Sequence, residues 1–344
     1  MNRARVTIAD VARGCRVSPA TVSLVLRGSP LVARATRARV ETEMKRQGYV
    51  YNRAAANLRQ RTSSSVALVI NDLANPFFAE FAAGVDEALG AAGYVTLLGS
   101  TGESTERQRR VLASLMEHTP AGVILSPAEN SDGDQLQTLL GDHTPVLMFN
   151  REPPHVRWSV SHWDYLALDN RRGATLATEH LLQQGHRRIA FFGGHADSSS
   201  CRERREGYAD AMHAAGITPE PRWLVECAPT RLEAAAQTGA LFSRDPAPTA
   251  AVCYNDAVAL GLMLGLTARG KHPGHDFAVT GFDDIPEAAV SVPPLTTLAT
   301  DPRLRGRQAA ERILERSRQP DVEAVRAIAP ARLVVRASSR TTPT

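Results

Sequence analysis

The 344-residue chain lacks most of the features that would take it out of the ordinary globular class. It has four cysteines, Cys15, Cys201, Cys227 and Cys253, with no C-x-x-C pair and no histidine at metal-ligand spacing. Scattered in this way they exclude a disulfide framework and a zinc site and read as reduced, buried thiols. No apolar run approaches the ~18 residues of a membrane helix. The basic N-terminus has no apolar stretch of the kind that directs export, so the expected location is the cytoplasm. Also absent are GxxxxGK(S/T), GxGxxG and GxSxG, which removes the phosphate-cradling loops and the nucleophile elbow, and no cofactor is expected. Asp283 and Asp284 are a carboxylate pair, but neighbours on an extended strand end point to opposite sides, a poor acid/base couple. His195, after "GG", reads as a lone, solvated loop histidine. No catalytic residue emerges, and the expectation is a protein that is not an enzyme.

What the chain does have is a charge split. Residues 1–62 carry 13 basic and three acidic side chains, a formal +10, while the remainder carries 27 basic and 33 acidic, a formal −6. Such a division points to a nucleic-acid-binding arm on a neutral-to-acidic body. The arm is patterned as well as basic. Thr7 caps a helix that turns Ile8, Val11 and Ala12 inward and breaks at Gly14. "SPATVSLVLRG" follows, with Ser18 as side-chain cap and Pro19 preset for the first turn. Thr36 caps a third helix, in which Val40 and Met44 stack before Gly48 ends it. Two helices across a tight turn with a third as brace make a helix-turn-helix domain. In the second helix Val22, Val25 and Leu26 share the buried face. Leu24 lies about 200° from Val22 at ~100° per residue, so Ala20 and Leu24 face outward where charge is usual.

From Val66 onward, continuous apolar runs such as "SVALVIND", "PVLMFNRE", "RIAFFGG" and "TAAVCYND" alternate with amphipathic helices. That pattern predicts doubly wound parallel sheets covered on both faces, and the number of units predicts two lobes. The expected division is a headpiece at 1–51, a linker at 52–62 and a core at 63–344. Within the core, one lobe takes about 63–165 plus 295–320 and the other about 166–294 plus 321–340. Ligands of open parallel sheets bind beyond the carboxyl ends of the strands. Those ends carry Asn71 and Asp72, Ser126, Asn150 and Arg151, Asn255 and Asp256, and Asp283 and Asp284, with "NPFF" (Asn75–Phe78) nearby. Acids and amides around an aromatic face suit a polyhydroxylated ligand.

Taken in order, "VTIADVARGCRVSPATVSLVLRG", "GYVYNRAAANLR", "NPFFAEFAAGV", "DNRRGATLATEHLLQQGHRRIAFFGG", "RERREGY", "YNDAVALG" and "GFDD…PPLTTL" resemble the LacI family of bacterial transcriptional repressors, nearest its maltose-regulon-type branch. The resemblance implies a helix-turn-helix headpiece, a hinge helix, and a two-lobed core similar to periplasmic sugar-binding proteins. It also implies a homodimer on a pseudo-palindromic operator in double-stranded DNA, controlled by a small carbohydrate-type effector, with no membrane partner. By that resemblance Pro19, Ala20 and Leu24 occupy the base-reading positions, where other members place Tyr, Gln or Arg. An apolar pair there can read thymine methyls. Thr7, Ser18, Thr21, Ser23, Arg27 and Thr36 complete the expected headpiece contacts with DNA. Asn52, Arg53, Ala55 and Leu58 match the hinge helix, Leu58 at the position that wedges into the minor groove. The matching effector positions are Asn71, Asn75, Phe77, Ser126, Asn150, Arg204, Asn255 and Asp283. Pro229 stands where many sugar-responsive members carry an aromatic. The final "SSRTTPT" lacks the leucine heptads of the family's tetramers. Two rival readings, a transport-type binding protein and a cytosolic sugar-modifying enzyme, share the core but not the basic headpiece.

Overall fold

A computed structural model describes residues 6–50, 63–156, 158, 163–243 and 245–340. The chain forms two compact units, one ending at Thr62 and one beginning at Ser63.

In the first unit, α1 (Ile8–Cys15) opens on a capping box: the Thr7 hydroxyl accepts from the Asp10 amide at 3.3 Å and the Asp10 carboxylate accepts from the Thr7 amide at 3.0 Å. The Ser18 hydroxyl caps α2 (Pro19–Leu26) by accepting from the Thr21 amide at 3.1 Å. Val11, Ala12, Cys15, Val22, Val25 and Val40 close the small core beneath α3 (Arg34–Gln47). Two expectations need correcting. Gly14 does not break α1, which runs through it to Cys15 and ends on Arg16 in the left-handed region at φ 55°. Gly14 is instead a packing residue, since a Cβ there would lie 2.0 Å from the Glu43 carboxylate on α3. Thr36 caps nothing, because α3 starts earlier, from Ala33, with no side-chain cap. The Arg37 guanidinium fixes that start by donating to the Ser29 carbonyl at 2.6 Å. The hinge residues Asn52, Arg53, Ala55 and Leu58 fall outside the described residues.

The second unit begins with β1 (Ser65–Ile70), α4 (Pro76–Ala91), β2 (Val95–Ser100), α5 (Thr105–Met116), β3 (Val123–Leu125), α6 (Gly133–Leu140), β4 (Val146–Phe149) and β5 (Asp164–Leu168). It crosses into α7 (Asn170–Gln183), β6 (Ile189–Phe192), α8 (Ser199–Ala214), β7 (Leu224–Val225), α9 (Arg231–Gln237), α10 (Gly239–Phe242), β8 (Ala250–Cys253), α11 (Asp256–Thr267), β9 (Ala278–Thr280), α12 (Pro286–Val290) and β10 (Thr297–Ala299). The chain then returns through α13 (Pro302–Arg318) and β11 (Arg326–Ala329) before β12 (Arg332–Val334). The first sheet is all parallel in the order β11-β5-β4-β3-β1-β2, and the second all parallel in the order β7-β6-β8-β9.

These pairings move the lobe boundaries. β5 belongs wholly to the first sheet, so the first crossing falls after Leu168 and not after 165. Residues near 297 bridge to the edge of the second sheet, at Thr280–Thr296 and Asp283–Ala299, where the sequence suggested the first lobe. β11 pairs with β5 in the first sheet, and only β12, antiparallel to β10, returns to the second.

α13 covers the first sheet by lying very close to α4. A Cβ on Gly84 would sit 2.0 Å from the Arg303 carbonyl, and one on Gly306 would sit 2.1 Å from the Phe81 carbonyl. Backbone meets backbone at that crossing, so no side chain can give way. In the second lobe Asp256, with no exposure to water, ties α11 to its surroundings. It accepts from the Thr297 hydroxyl at 2.5 Å and the Ile285 amide at 3.0 Å. Burial pushes its carboxyl up to about 6, with the Asp284 charge adding to the rise.

Gly84→Ala should therefore cost the core about 1–3 kcal/mol of overpacking, read as a lower urea midpoint; an unchanged midpoint would contradict the close crossing. For Asp256 the folded state holds its proton more tightly than the unfolded one. Its contribution is complete below about pH 4 and is lost as pH rises through about 6. Relative to Asp256→Asn, which has no proton to lose, the parent core should lose about 2–3 kcal/mol between pH 4 and pH 7. A stability gap that stays constant across that range would rule the effect out.

Candidate functional site

In the first unit the outward face of α2 has the composition expected of it. Pro19 and Ala20 are exposed, and Leu24 is only partly buried and stands outside the apolar cluster. Arg27 is exposed, and its Nε donates to the Ser23 carbonyl at 3.2 Å. The Ser18 and Thr21 hydroxyls lie 3.0 Å apart. Thr36 is partly buried in the first turn of α3.

The second unit holds a cavity of about 330 Å³ between its sheets, at their carboxyl ends. The strand orders place the switch points between β1 and β3 and between β6 and β8, which is where a doubly wound sheet opens. Asn75, Phe77, Asn150, Arg204, Asn255 and Asp283 line this cavity. Asn71 and Ser126 do not. They are buried one layer behind it, where Ser126 Oγ donates to Asn71 Oδ1 at 2.5 Å and Asn71 Nδ2 donates to Glu103 at 3.1 Å. Their part is to aim Glu103, which does line the cavity.

Arg204, 2% exposed, is the central group of the second lobe's wall. Its Nε donates to Asn170 Oδ1 at 2.9 Å and one terminal nitrogen to the Tyr254 carbonyl at 2.6 Å. Its plane lies 3.6 Å from the centre of the Phe282 ring, a cation–π contact. The other terminal nitrogen is 3.9 Å from Asp283, too far for a hydrogen bond but close enough for both to grip one ligand hydroxyl. Asp283 is held at φ 125°, a conformation that side chains avoid, and this turns it inward while Asp284 pairs with Arg336 at 2.7 Å. Burial pushes the Asp283 carboxyl well above its ordinary range, Arg204 draws it down, and Asp256 adds to the rise.

Across the cavity, Asn150 is also at positive φ, 62°, and its buried Oδ1 has no hydrogen-bond partner among the described residues. A buried acceptor without a donor costs about 1–3 kcal/mol. Asn75 and Asn255 serve double duty. Each caps a helix through Oδ1, to Phe77 N at 3.0 Å and Val258 N at 2.9 Å, leaving the amide nitrogen to donate. Phe77 stacks on Phe149 at 6.0 Å and stands edge-on to Phe78 at 5.1 Å, giving the cavity its apolar side.

Several lining residues were not among the expected effector positions. Arg151, buried, clamps Glu103 with two bonds of 2.7 and 2.9 Å and reaches the Tyr254 hydroxyl at 3.4 Å in the other lobe. His195 is not a free solvated histidine: its Nδ1 lies 3.0 Å from Glu129, again across the lobes. Burial raises the Glu129 carboxyl, the Glu103 charge raises it further, and His195 opposes the rise. Glu103 and Glu129 sit in loops after β2 and β3, and nothing in a single polar loop residue marks it as inward-facing. Arg151 follows β4 directly and was visible by the strand-end rule.

Among the described residues there is no His/Cys/Asp/Glu cluster able to hold a metal ion and no helix long and apolar enough to cross a membrane. Residues 7–52 match the model of the bacterial regulatory proteins, lacI family, and residues 178–339 match a periplasmic binding protein-like domain. The maltose regulon regulatory protein MalI of Escherichia coli (strain K12) is 32% identical over 96% of this chain and 98% of its own length. Among solved structures, the lac repressor dimer bound to operator and the anti-inducer ONPF superposes with a TM-score of 0.84. It is 26% identical and covers 97% of this chain and 99% of its own. The transcriptional regulator CelR in complex with cellobiose gives a TM-score of 0.73 at 31% identity, covering 97% of this chain and 100% of its own. A basic three-helix unit, a two-lobed core with a polar cavity and relatives matched end to end agree: the chain is a DNA-binding transcriptional regulator and belongs to the LacI family.

Proposed function

We propose that this regulator is a cytoplasmic repressor whose operator affinity is set by an uncharged, polyhydroxylated small molecule held between the core lobes. Two copies of the chain place their headpieces on the halves of a pseudo-palindromic operator, Pro19, Ala20 and Leu24 facing the bases. Asn52, Arg53, Ala55 and Leu58 form the paired hinge. The carrying observation is the wall around Arg204. A guanidinium edge and an acidic side chain 3.9 Å apart line the cavity together with Asn75, Asn150 and Asn255, a set of donors and acceptors for vicinal hydroxyls. The cellobiose complex of a relative supports a carbohydrate.

The charge balance narrows the class further. Asp72, Glu103, Glu129 and Asp283 line the cavity, while Arg151 is already clamped by Glu103 and Arg204 is held by Asn170 and the Tyr254 carbonyl. A phosphate ester would meet four acidic side chains, with Arg151 already clamped and a single terminal nitrogen of Arg204 left to oppose them. A neutral sugar meets acceptors, donors and an aromatic edge.

The test is operator affinity of the full-length protein at one fixed salt concentration, with DNA selected from random duplexes and a panel of sugars, sugar phosphates and nucleosides. A neutral sugar should shift affinity by about 5–150-fold, a coupling of ~1–3 kcal/mol. A shift produced only by a phosphate ester would overturn the effector class. Arg204→Ala should leave operator binding in place and abolish the shift; a surviving shift would remove Arg204 from the site. Leu58→Gly should weaken operator binding while effector affinity holds, and equal loss of both would contradict its place in the hinge.

A further inference from the structure

The reading face of α2 carries an unusual instruction. Between Pro19 and Leu26 the helix has no Asn, Gln, Asp, Glu, Lys or Arg. Its polar side chains are Thr21 and Ser23, and the Thr21 hydroxyl is already 3.0 Å from that of Ser18. The exposed Arg27 just beyond turns its Nε back onto the Ser23 carbonyl. The side chains presented outward, Ala20 and Leu24, are apolar, and Leu24 is left out of the headpiece core. The occupant of this face is DNA. The segment that bears it is +10, it matches the lacI-family headpiece, and the second helix of a helix-turn-helix enters the major groove.

In the major groove, thymine differs from cytosine in two ways: a carbonyl acceptor replaces an amino donor, and a methyl group stands on C5. A polar reader uses the first difference. A face of alanine and leucine can use only the second. The same C5 methyl is present on 5-methylcytosine and missing from uracil, whatever hydrogen-bonding pattern the base carries.

We propose that α2 reads pyrimidine C5-methyl groups through Leu24 and Ala20, so that the operator is sensitive to cytosine methylation and 5-methylcytosine substitutes for thymine at the contacted position. The headpiece would then report the modification state of its own site, independently of the effector cleft.

The experiment uses the full-length, unsubstituted protein without effector and a selected operator. Each thymine of the half-site is first replaced by uracil to find the positions where the methyl matters. At those positions four symmetric duplexes are compared, carrying T·A, U·A, C·G and 5-methyl-C·G. The proposal requires T and 5-methylcytosine to bind alike and both to exceed uracil and cytosine. The margin should be about fourfold per methyl, and roughly fifteenfold when both half-sites change. Thymine and uracil binding alike, with both cytosines weaker, would mean hydrogen-bond readout and would overturn it. So would the absence of any uracil-sensitive position. In Leu24→Ala, with unchanged circular dichroism and unchanged non-specific DNA binding, the thymine-to-uracil ratio should fall toward one; a ratio as large as the parent's would remove Leu24 from the contact.

Discussion

A guanidinium with almost no access to water has to find its partners inside the protein, and Arg204 finds them at the ends of several strands. Its bonds reach the start of α7 just past the first crossing, the carbonyl after β8, and the turn after β9 that carries Phe282 and Asp283. Removing a charge from water costs several kcal/mol unless geometry and hydrogen bonds compensate. The wall of the cleft is therefore fixed by the need to satisfy this one group. The compensation is incomplete by design of the fold: Asp283 stays beyond hydrogen-bond reach, and the opposite wall leaves an amide oxygen unpaired.

The same logic holds the lobes against each other. Arg151 is spent on Glu103, yet it touches the Tyr254 hydroxyl of the other lobe, and Glu129 meets His195 across the same gap. These are polar contacts between residues that line the cavity. The apolar framework behind them is stiffer. Backbone-to-backbone packing at Gly84 and Gly306 allows α4 and α13 little sliding. The first lobe is thus stiff where these two helices cross.

Much of this was legible in the sequence because buried parallel strands read as continuous apolar runs and their ends as polar punctuation. β1, β4, β6 and β8 are of that kind, and most of the expected effector residues follow such strands. β11 is not. "RAIA" is a half-exposed edge strand with no continuous run, so its place beside β5 was hidden and residues 321–329 were given to the other lobe. Gly14 and Thr36 misled for a related reason. A glycine or a threonine near a helix end is a local signal, whereas Gly14 answers to Glu43 on another helix and the start of α3 answers to an Arg37–Ser29 bond. Asn71 and Ser126 sit at the right strand ends but face one layer too deep, a difference that only the packing of Glu103 decides.

The central claim is that cleft and operator share one free energy. Such coupling is reciprocal, so operator must change effector affinity by the same factor by which effector changes operator affinity. The most direct measurement is the effector dissociation constant of the full-length dimer, by calorimetry, without DNA and with saturating operator. The account predicts that the two constants differ by the factor seen in operator binding. Equal constants would show a ligand that occupies the cleft without speaking to the DNA.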